Sequence, residues 1–297
     1  MVTVVPQSKE EWLSLRQENI NSTEVAALFG CSPYQTLYEL WHIKKGNLKD
    51  SFVDNERIKW GTRLQDSIAM GIAEDNAWSI RRMDEYIYDK ELRAGSSFDF
   101  SVQGNTALLE IKNVDSLAFK EGWLETDSGV ESPLHIELQV QHQMMMSGYE
   151  TCYIGALVGG NRAVIIERKK DPLVIAEVKK KIKQFWISIY MSDEPKPDFE
   201  KDKDAIRELY KAAKKGKAVE GTMQVKELAE TYSNLTEQIA ALNKKRDAIK
   251  MQMLTMMGDA EKIIGEGYQV SAGVVQRAGY EVKPVVYRDF RIRFMEK

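Results

Sequence analysis

Apolar residues recur at spacings of three and four over much of the chain, and the interruptions predict its elements. Trp12 and Leu15 share one face of residues 8–18, which predicts a helix. Asn21, Ser22 and Thr23 suit a helix cap, so a short helix is expected to follow through Phe29, broken by Gly30 to Pro33. Leu37, Leu40 and Trp41 mark another short helix over 35–45. A stronger one, from about Arg57 to Asn76, carries Ile58, Leu64, Ile68, Ala69 and Ile72. The pattern then shortens. Residues 78–82, 86–88, 94–102 and 107–112 read as strands, the last two joined across Gly104-Asn105. Pro133 precedes a helix from about His135 to Ser147. Thr151–Leu157 and Arg162–Arg168 form a hairpin across Gly159-Gly160, and a long helix follows from Pro172 to Met191.

Pro195 and Pro197 predict a boundary, with one domain over 1–198 and an extension over 199–297. In the extension Val225, Leu228, Tyr232, Leu235, Ile239, Leu242, Ile249, Met253 and Met256 form a heptad seam. Only Arg246 interrupts it, within a long helix over about 222–257. The seam suits either a coiled coil or an amphipathic helix packed on its own domain. Short strands are expected after it. There Tyr287, Arg288, Phe290, Arg291, Arg293 and Phe294 interleave charge and rings, as a nucleic-acid contact or a packed edge strand would.

Composition narrows the class. The 297 residues are 43% hydrophobic and 29% charged, as in a soluble globular protein, and no run reaches the roughly 18 apolar residues of a membrane helix. The opening MVTVVPQSKEEW lacks a basic region followed by an apolar run, so no secretory signal is expected and the expected location is the cytoplasm. Cys31 and Cys152 cannot build a four-cysteine site, and His42, His135 and His142 have no ligand spacing with them. No Gly-x-x-x-x-Gly-Lys loop supports ATP use. A net charge of −3 argues mildly against nucleic acid. Two lysine clusters soften that argument: Lys179, Lys180, Lys181 and Lys183, then Lys211, Lys214, Lys215 and Lys217. Each is either a DNA-facing patch or a solvated helix face.

The chemistry concentrates in SFDFSVQGNTALLEIKNVDS, residues 97–116. Asp99 and Glu110 on adjoining strands can bring two carboxylates to one magnesium ion, with the peptide carbonyl of Ile111 as a third oxygen. Lys112 follows Glu110 by two, so both point to one face, while Leu109 and Ile111 point to the other. An ammonium there can orient a water or offset charge on a phosphoryl group. By itself, an acid followed by Glu-x-Lys is a common exposed-strand pattern.

The order of elements resembles the PD-(D/E)xK nuclease fold: a central mixed sheet flanked by helices, restriction-endonuclease-like, here with a C-terminal helical, coiled-coil extension. In HIELQVQHQMMMSG, Gln139 and Gln143 lie four apart and resemble the glutamine motif of that superfamily's exonuclease branch. By that likeness they touch the phosphate or support the lysine, whereas Gln141 and His142 lie on other faces. WLSLRQENINSTEVAALFGCSPYQTLYELW resembles the opening of the YqaJ-type viral recombinase family, to which lambda-type exonucleases are related. The resemblance spans about residues 10–190. It implies that Arg16 and Thr23, with Ser22 as a further candidate, hold the terminal 5′-phosphate of a DNA end, as a forked donor and a helix N-terminus favour. It also implies magnesium-dependent 5′→3′ digestion of one strand of linear duplex DNA in phage or prophage recombination, with manganese able to substitute. A homo-oligomer is implied, often a ring-shaped trimer, together with a single-strand annealing protein as partner.

One position departs from the family. Where a glutamate follows Gly-x-x-Leu, WGTRLQ places Gln65, whose amide oxygen can reach a metal without bringing charge, so one metal site is expected to be weaker. Asp66 lies about 100° around the helix and Glu74 about 180°, so neither replaces it. Two other readings keep the fold: a structure-specific or repair endonuclease, and a catalytically weakened DNA-binding protein.

Overall fold

The computed structural model describes residues 1–49, 56–104, 107–127 and 129–276, together with 279 and 292. The chain forms two units, Met1–Leu209 and Tyr210–Lys297. In chain order the first unit carries β1 (Val2–Val4), α1 (Lys9–Glu18), β2 (Ile20–Asn21), α2 (Val25–Leu28), α3 (Leu37–Lys44), α4 (Glu56–Asp75), β3 (Ile80–Arg82), β4 (Tyr86–Asp89) and β5 (Ala94–Ser97). It continues with β6 (Phe100–Val102), β7 (Ala107–Val114), α5 (Ser116–Gly122), β8 (Leu124–Thr126), β9 (Gly129–Glu131), α6 (Leu134–Ser147), β10 (Thr151–Val158), β11 (Arg162–Lys169), α7 (Pro172–Met191) and α8 (Lys203–Leu209).

The central sheet runs β11-β10-β7-β6-β3. It is mixed: β7 and β10 are parallel, and its other pairs are antiparallel. The parallel pair needs a crossover, which α6 supplies. Both faces are covered, so β10 reads as a nearly continuous apolar run, and β7 is apolar except at Glu110, Lys112 and Asn113. On one face Leu109 and Ile111 join Phe100 and Val102 against Ile68, Ala69 and Ile72 of α4. On the other, Leu108, Cys152 and Ile154 meet Val140 and Met144 of α6, with Val178, Ile182 and Phe185 of α7 behind them. Each such side chain contributes roughly 1.5–3 kcal/mol by leaving water. Gly155 of β10 lets α4 approach, because a Cβ there would lie 2.6 Å from Ile72 Cδ1.

A second sheet, β1-β4-β5-β2, lies beside this core. The single strand expected over 94–102 is therefore two, one in each sheet, with Phe98 and Asp99 at the crossing. Asn105 of the expected turn lies outside the described residues.

The first unit also extends beyond the predicted boundary at residue 198, to Leu209. The reason is Asp202, which is buried and accepts a hydrogen bond from Thr36 Oγ1 at the cap of α3. That bond ties the segment after Pro197 to the first unit.

The second unit holds α9 (Met223–Met257), capped by Thr222 and ended at Gly258, and a hairpin of β12 (Lys262–Gly265) with β13 (Tyr268–Ser271). The six basic and aromatic positions singled out over 287–294 lie outside the described residues. Lys179, Lys180 and Lys183 lie on the exposed side of α7, whose other side is core. Lys214, Lys215 and Lys217 lie in an exposed loop, not on a helix.

Candidate active site

Glu110 sits in the middle of β7 and is 5% exposed, so its charge must be met from within the fold. Three side chains converge to do so. Lys112 Nζ donates to Glu110 Oε1 at 2.7 Å and to Gln139 Oε1 at 3.0 Å. Gln139 Nε2 donates to Glu110 Oε1 at 2.6 Å, and Gln143 Nε2 donates to Glu110 Oε2 at 2.7 Å. The period of two on β7 puts Glu110 and Lys112 on the α6 face, and the i,i+4 spacing on α6 puts both glutamines over them. Burial pulls the lysine pKa down, but the charges of Glu110 and Asp99 and the bond to Glu110 outweigh it, so the ammonium lies above the ordinary lysine range.

Asp99 completes the cluster at the crossing between the sheets. Its Oδ2 accepts from the Ile111 peptide N–H at 2.8 Å, and Gln65 of α4 makes a side-chain hydrogen bond to it. Burial first, and the Glu110 charge second, push its pKa up to about 7 against the relief given by Lys112. The two carboxylates therefore feel one another, and a divalent cation between them would remove that cost.

The donor set fits a hard cation. Near the acids stand the Gln65 amide and the Ile111 peptide, an oxygen-rich setting that suits a hard divalent cation. Among the described residues no group of three or more His, Cys, Asp and Glu forms a metal cage, so amide and carbonyl oxygens and water would complete any shell. Gln65 is thus placed on Asp99, while Asp66 pairs with Arg82 at the surface.

The expected phosphate residues divide. Arg16 Nη2 donates to Thr23 Oγ1 at 3.3 Å, and its guanidinium lies 4.7 Å from the Trp12 ring centre. Trp12 is itself fixed through its indole N–H to Ser97 Oγ at 2.9 Å, which accounts for the Trp-x-x-x-Arg spacing on α1. Ser22 does not join them. It is 4% exposed and bonds Ser96 Oγ at 2.7 Å and His142 Nδ1 at 2.9 Å, so no phosphate can reach it. Nor does a helix N-terminus serve: α2 is one turn, and its Glu24 cap makes no side-chain capping bond.

Glu24 was not singled out by the sequence, nor was Lys44. Lys44 Nζ lies 2.8 Å from Glu24 Oε2 in the interior, and Arg16 approaches Glu24 Oε1 at 3.8 Å. Burial works to raise the Glu24 pKa, but Lys44, Arg16 and its hydrogen bonds prevail and hold it below the ordinary value. An acid and a base twenty residues apart leave no local pattern, and only tertiary contact reveals the pair.

A cavity of about 450 Å³ links the two groups of residues. Thr23, Tyr34, Arg57, Lys112, His135 and Gln139 are among those that line it. Tyr34 packs edge-on to His135 with ring centres 5.7 Å apart. Burial and the Lys112 charge keep the His135 pKa below its ordinary value. His142 is pushed down to about 3, chiefly by burial, and serves as a neutral core partner of Ser22. Gln141 bridges Lys169 O and Asp171 N at the start of α7, away from the acids.

Residues 11–150 match the family model of the YqaJ-like viral recombinase domain. A protein of Bacillus subtilis (strain 168) described as uncharacterized protein YqaJ is 26% identical over 260 residues, covering 86% of this chain and 80% of that protein. The crystal structure of an alkaline exonuclease, LHK-Exo, from Laribacter hongkongensis superposes with a TM-score of 0.52 at 19% identity. It covers 67% of this chain and 99% of its own. That likeness shows that the first unit shares the fold of that protein, a mixed central sheet flanked by helices. No helix of the described residues is long and apolar enough to cross a membrane.

Proposed function

From the match of residues 11–150 to the YqaJ-like viral recombinase domain, we propose that the protein is a magnesium-dependent exonuclease that digests one strand of linear duplex DNA from its 5′ end. The observation that carries the reading is the shared cavity: Thr23, bonded to Arg16, and Lys112, bonded to Glu110, line one space. Arg16 and Thr23 offer a guanidinium and a hydroxyl to a terminal phosphate, and Glu24 with Lys44 holds the guanidinium in place. A scissile phosphodiester then falls within reach of Lys112.

Asp99 and Glu110 would hold the cation, with the Ile111 carbonyl and the Gln65 amide oxygen as neutral donors. Bound there, it supplies Lewis-acid stabilisation of phosphoryl oxygens and lowers the pKa of a water, and manganese serves the same oxygen set. Lys112 places its ammonium beside the phosphate, offsetting charge as it builds. Gln139 fixes that ammonium, since its carbonyl oxygen accepts from Lys112 while its amide N–H donates to Glu110. Gln143 holds the second Glu110 oxygen. The strand left behind would pass to a single-strand annealing protein during phage or prophage recombination in the bacterial cytoplasm, and a homo-oligomer would keep the enzyme on its track.

The test compares three substrates with magnesium: 5′-phosphorylated linear duplex, the same duplex dephosphorylated, and closed circular DNA. Rapid loss of the first, slower loss of the second and an intact circle are expected. Circles nicked as fast as linear DNA is digested would mean an endonuclease. Gln65 on Asp99, where the family pattern has an acid, favours a second reading: a catalytically weak protein that binds DNA. Intact linear DNA that is nonetheless shifted in a gel would select it.

A further inference from the structure

The long helix of the second unit presents a surface that the nuclease chemistry does not use. Over its 35 residues, about 50 Å at 1.5 Å per residue, the heptad positions Leu228, Leu235, Ile239 and Leu242 stay 52–64% exposed. A continuous apolar stripe of this kind marks an interaction surface. The charges along the helix are unevenly placed. Residues 223–240 carry Glu227, Glu230 and Glu237 against Lys226, whereas residues 241–257 carry Lys244, Lys245, Arg246 and Lys250 against Asp247.

We propose that two copies of this chain associate through α9, with the helices side by side and antiparallel. The seam itself selects the direction. In parallel register Arg246 would meet its own copy in the core, and Lys245 of each helix would flank Lys250 of the other, which gathers six positive charges at one end. Reversing one helix about the midpoint between Ile239 and Leu242 keeps every seam layer filled. Val225 then meets Met256, Leu228 meets Met253, and Ile239 meets Leu242. Arg246 falls opposite Leu235, where its aliphatic stem packs and its guanidinium reaches water. Gln238 flanks Lys245, and Ala229 flanks Lys250, so no like charges face each other. The basic stretch 244–250 then runs beside residues 231–237 of the other copy, next to Glu230 and Glu237. A second copy complements this helix in both apolar pattern and charge, and it does so in one direction.

The experiment uses the full chain in a Cys31→Ser background. Val225→Cys and Met256→Cys proteins are oxidised separately and as a mixture, and products are read on a non-reducing gel. A cross-linked dimer from the mixture, with at least about tenfold less from either protein alone, is expected. Val225→Cys cross-linking efficiently to itself would show parallel helices and overturn the proposal. So would no cross-linking in any tube, whether the seam is free or held by a different protein. Light scattering gives a second readout: Leu235→Glu with Leu242→Glu should halve the particle mass while circular dichroism keeps its helical signal. An unchanged mass would also overturn it.

Discussion

Helices α6 and α9 are both rich in leucine and methionine, yet they meet opposite fates. Every residue of α6 from Leu138 to Met146 is buried, its glutamines and histidine included, whereas among the described residues of α9 only Met257 is. In α6 the polar groups survive burial because nearly all find partners, and the partners of Gln139 and Gln143 are the ionised groups of the candidate site. In α9 the apolar seam is left at the surface. A buried helix has its chemistry set by the fold around it, while an exposed one keeps its surface for association.

The largest effect should come from breaking the α6 side at its centre. Lys112→Ala or Asp99→Ala should reduce DNA digestion on the order of 10³-fold or more, with particle mass unchanged. A variant digesting like the parent would remove the site assignment. Next is packing. Met144→Ala empties a fully buried position and should cost about 2–5 kcal/mol, whereas Leu242→Ala on α9 should stay within about 0.5 kcal/mol in the unfolding of the first unit. Equal losses in denaturant titrations would show that the two helices share one cooperative core.

The pH dependence expected from Asp99 sharpens the contrast. Asp99 has its pKa raised from 3.8 to about 7 by burial and by the Glu110 charge. In that window the metal-free folded protein keeps a proton that the unfolded chain has released. Its contribution to stability is therefore full below about pH 4 and lost as pH rises toward 7. Magnesium binding needs the ionised acid, so the shift in unfolding midpoint that it produces should grow from pH 5 to 7 and then level off. A midpoint shift independent of pH would place the cation elsewhere. The smallest effect expected is from Gln65→Glu. Adding an acid beside Asp99 should lower metal-free stability modestly and tighten magnesium several-fold, as calorimetric titration would show. Weaker binding would mean that the amide is needed as a donor to Asp99.

Much of the candidate site's geometry was legible because its spacings are local. Glu110 and Lys112 share a face by strand period, and Gln139 and Gln143 by helix period, so each pair needs only one correct element. Trp12 and Arg16 follow the same rule on α1. Ser22 and Thr23 show where it fails. Both are small hydroxyl residues in an expected cap, yet one is locked to Ser96 and His142 and the other meets Arg16. Only the position of β5 and α6 separates them. Glu24 and Lys44 were illegible for the same reason, as was the break between β5 and β6, where one extended segment crosses from one sheet to another.

The chain alone determined which faces are apolar, which side chains share them and where the helical period persists, because those depend on rotations of 100° and 180° per residue. Tertiary structure alone decided which faces meet. It brought Asp99 under Gln65, joined Thr23 to the cavity of Lys112, and left α9 with its seam exposed. Burial and the proximity of charges are properties of distance through space, and sequence separation does not encode them.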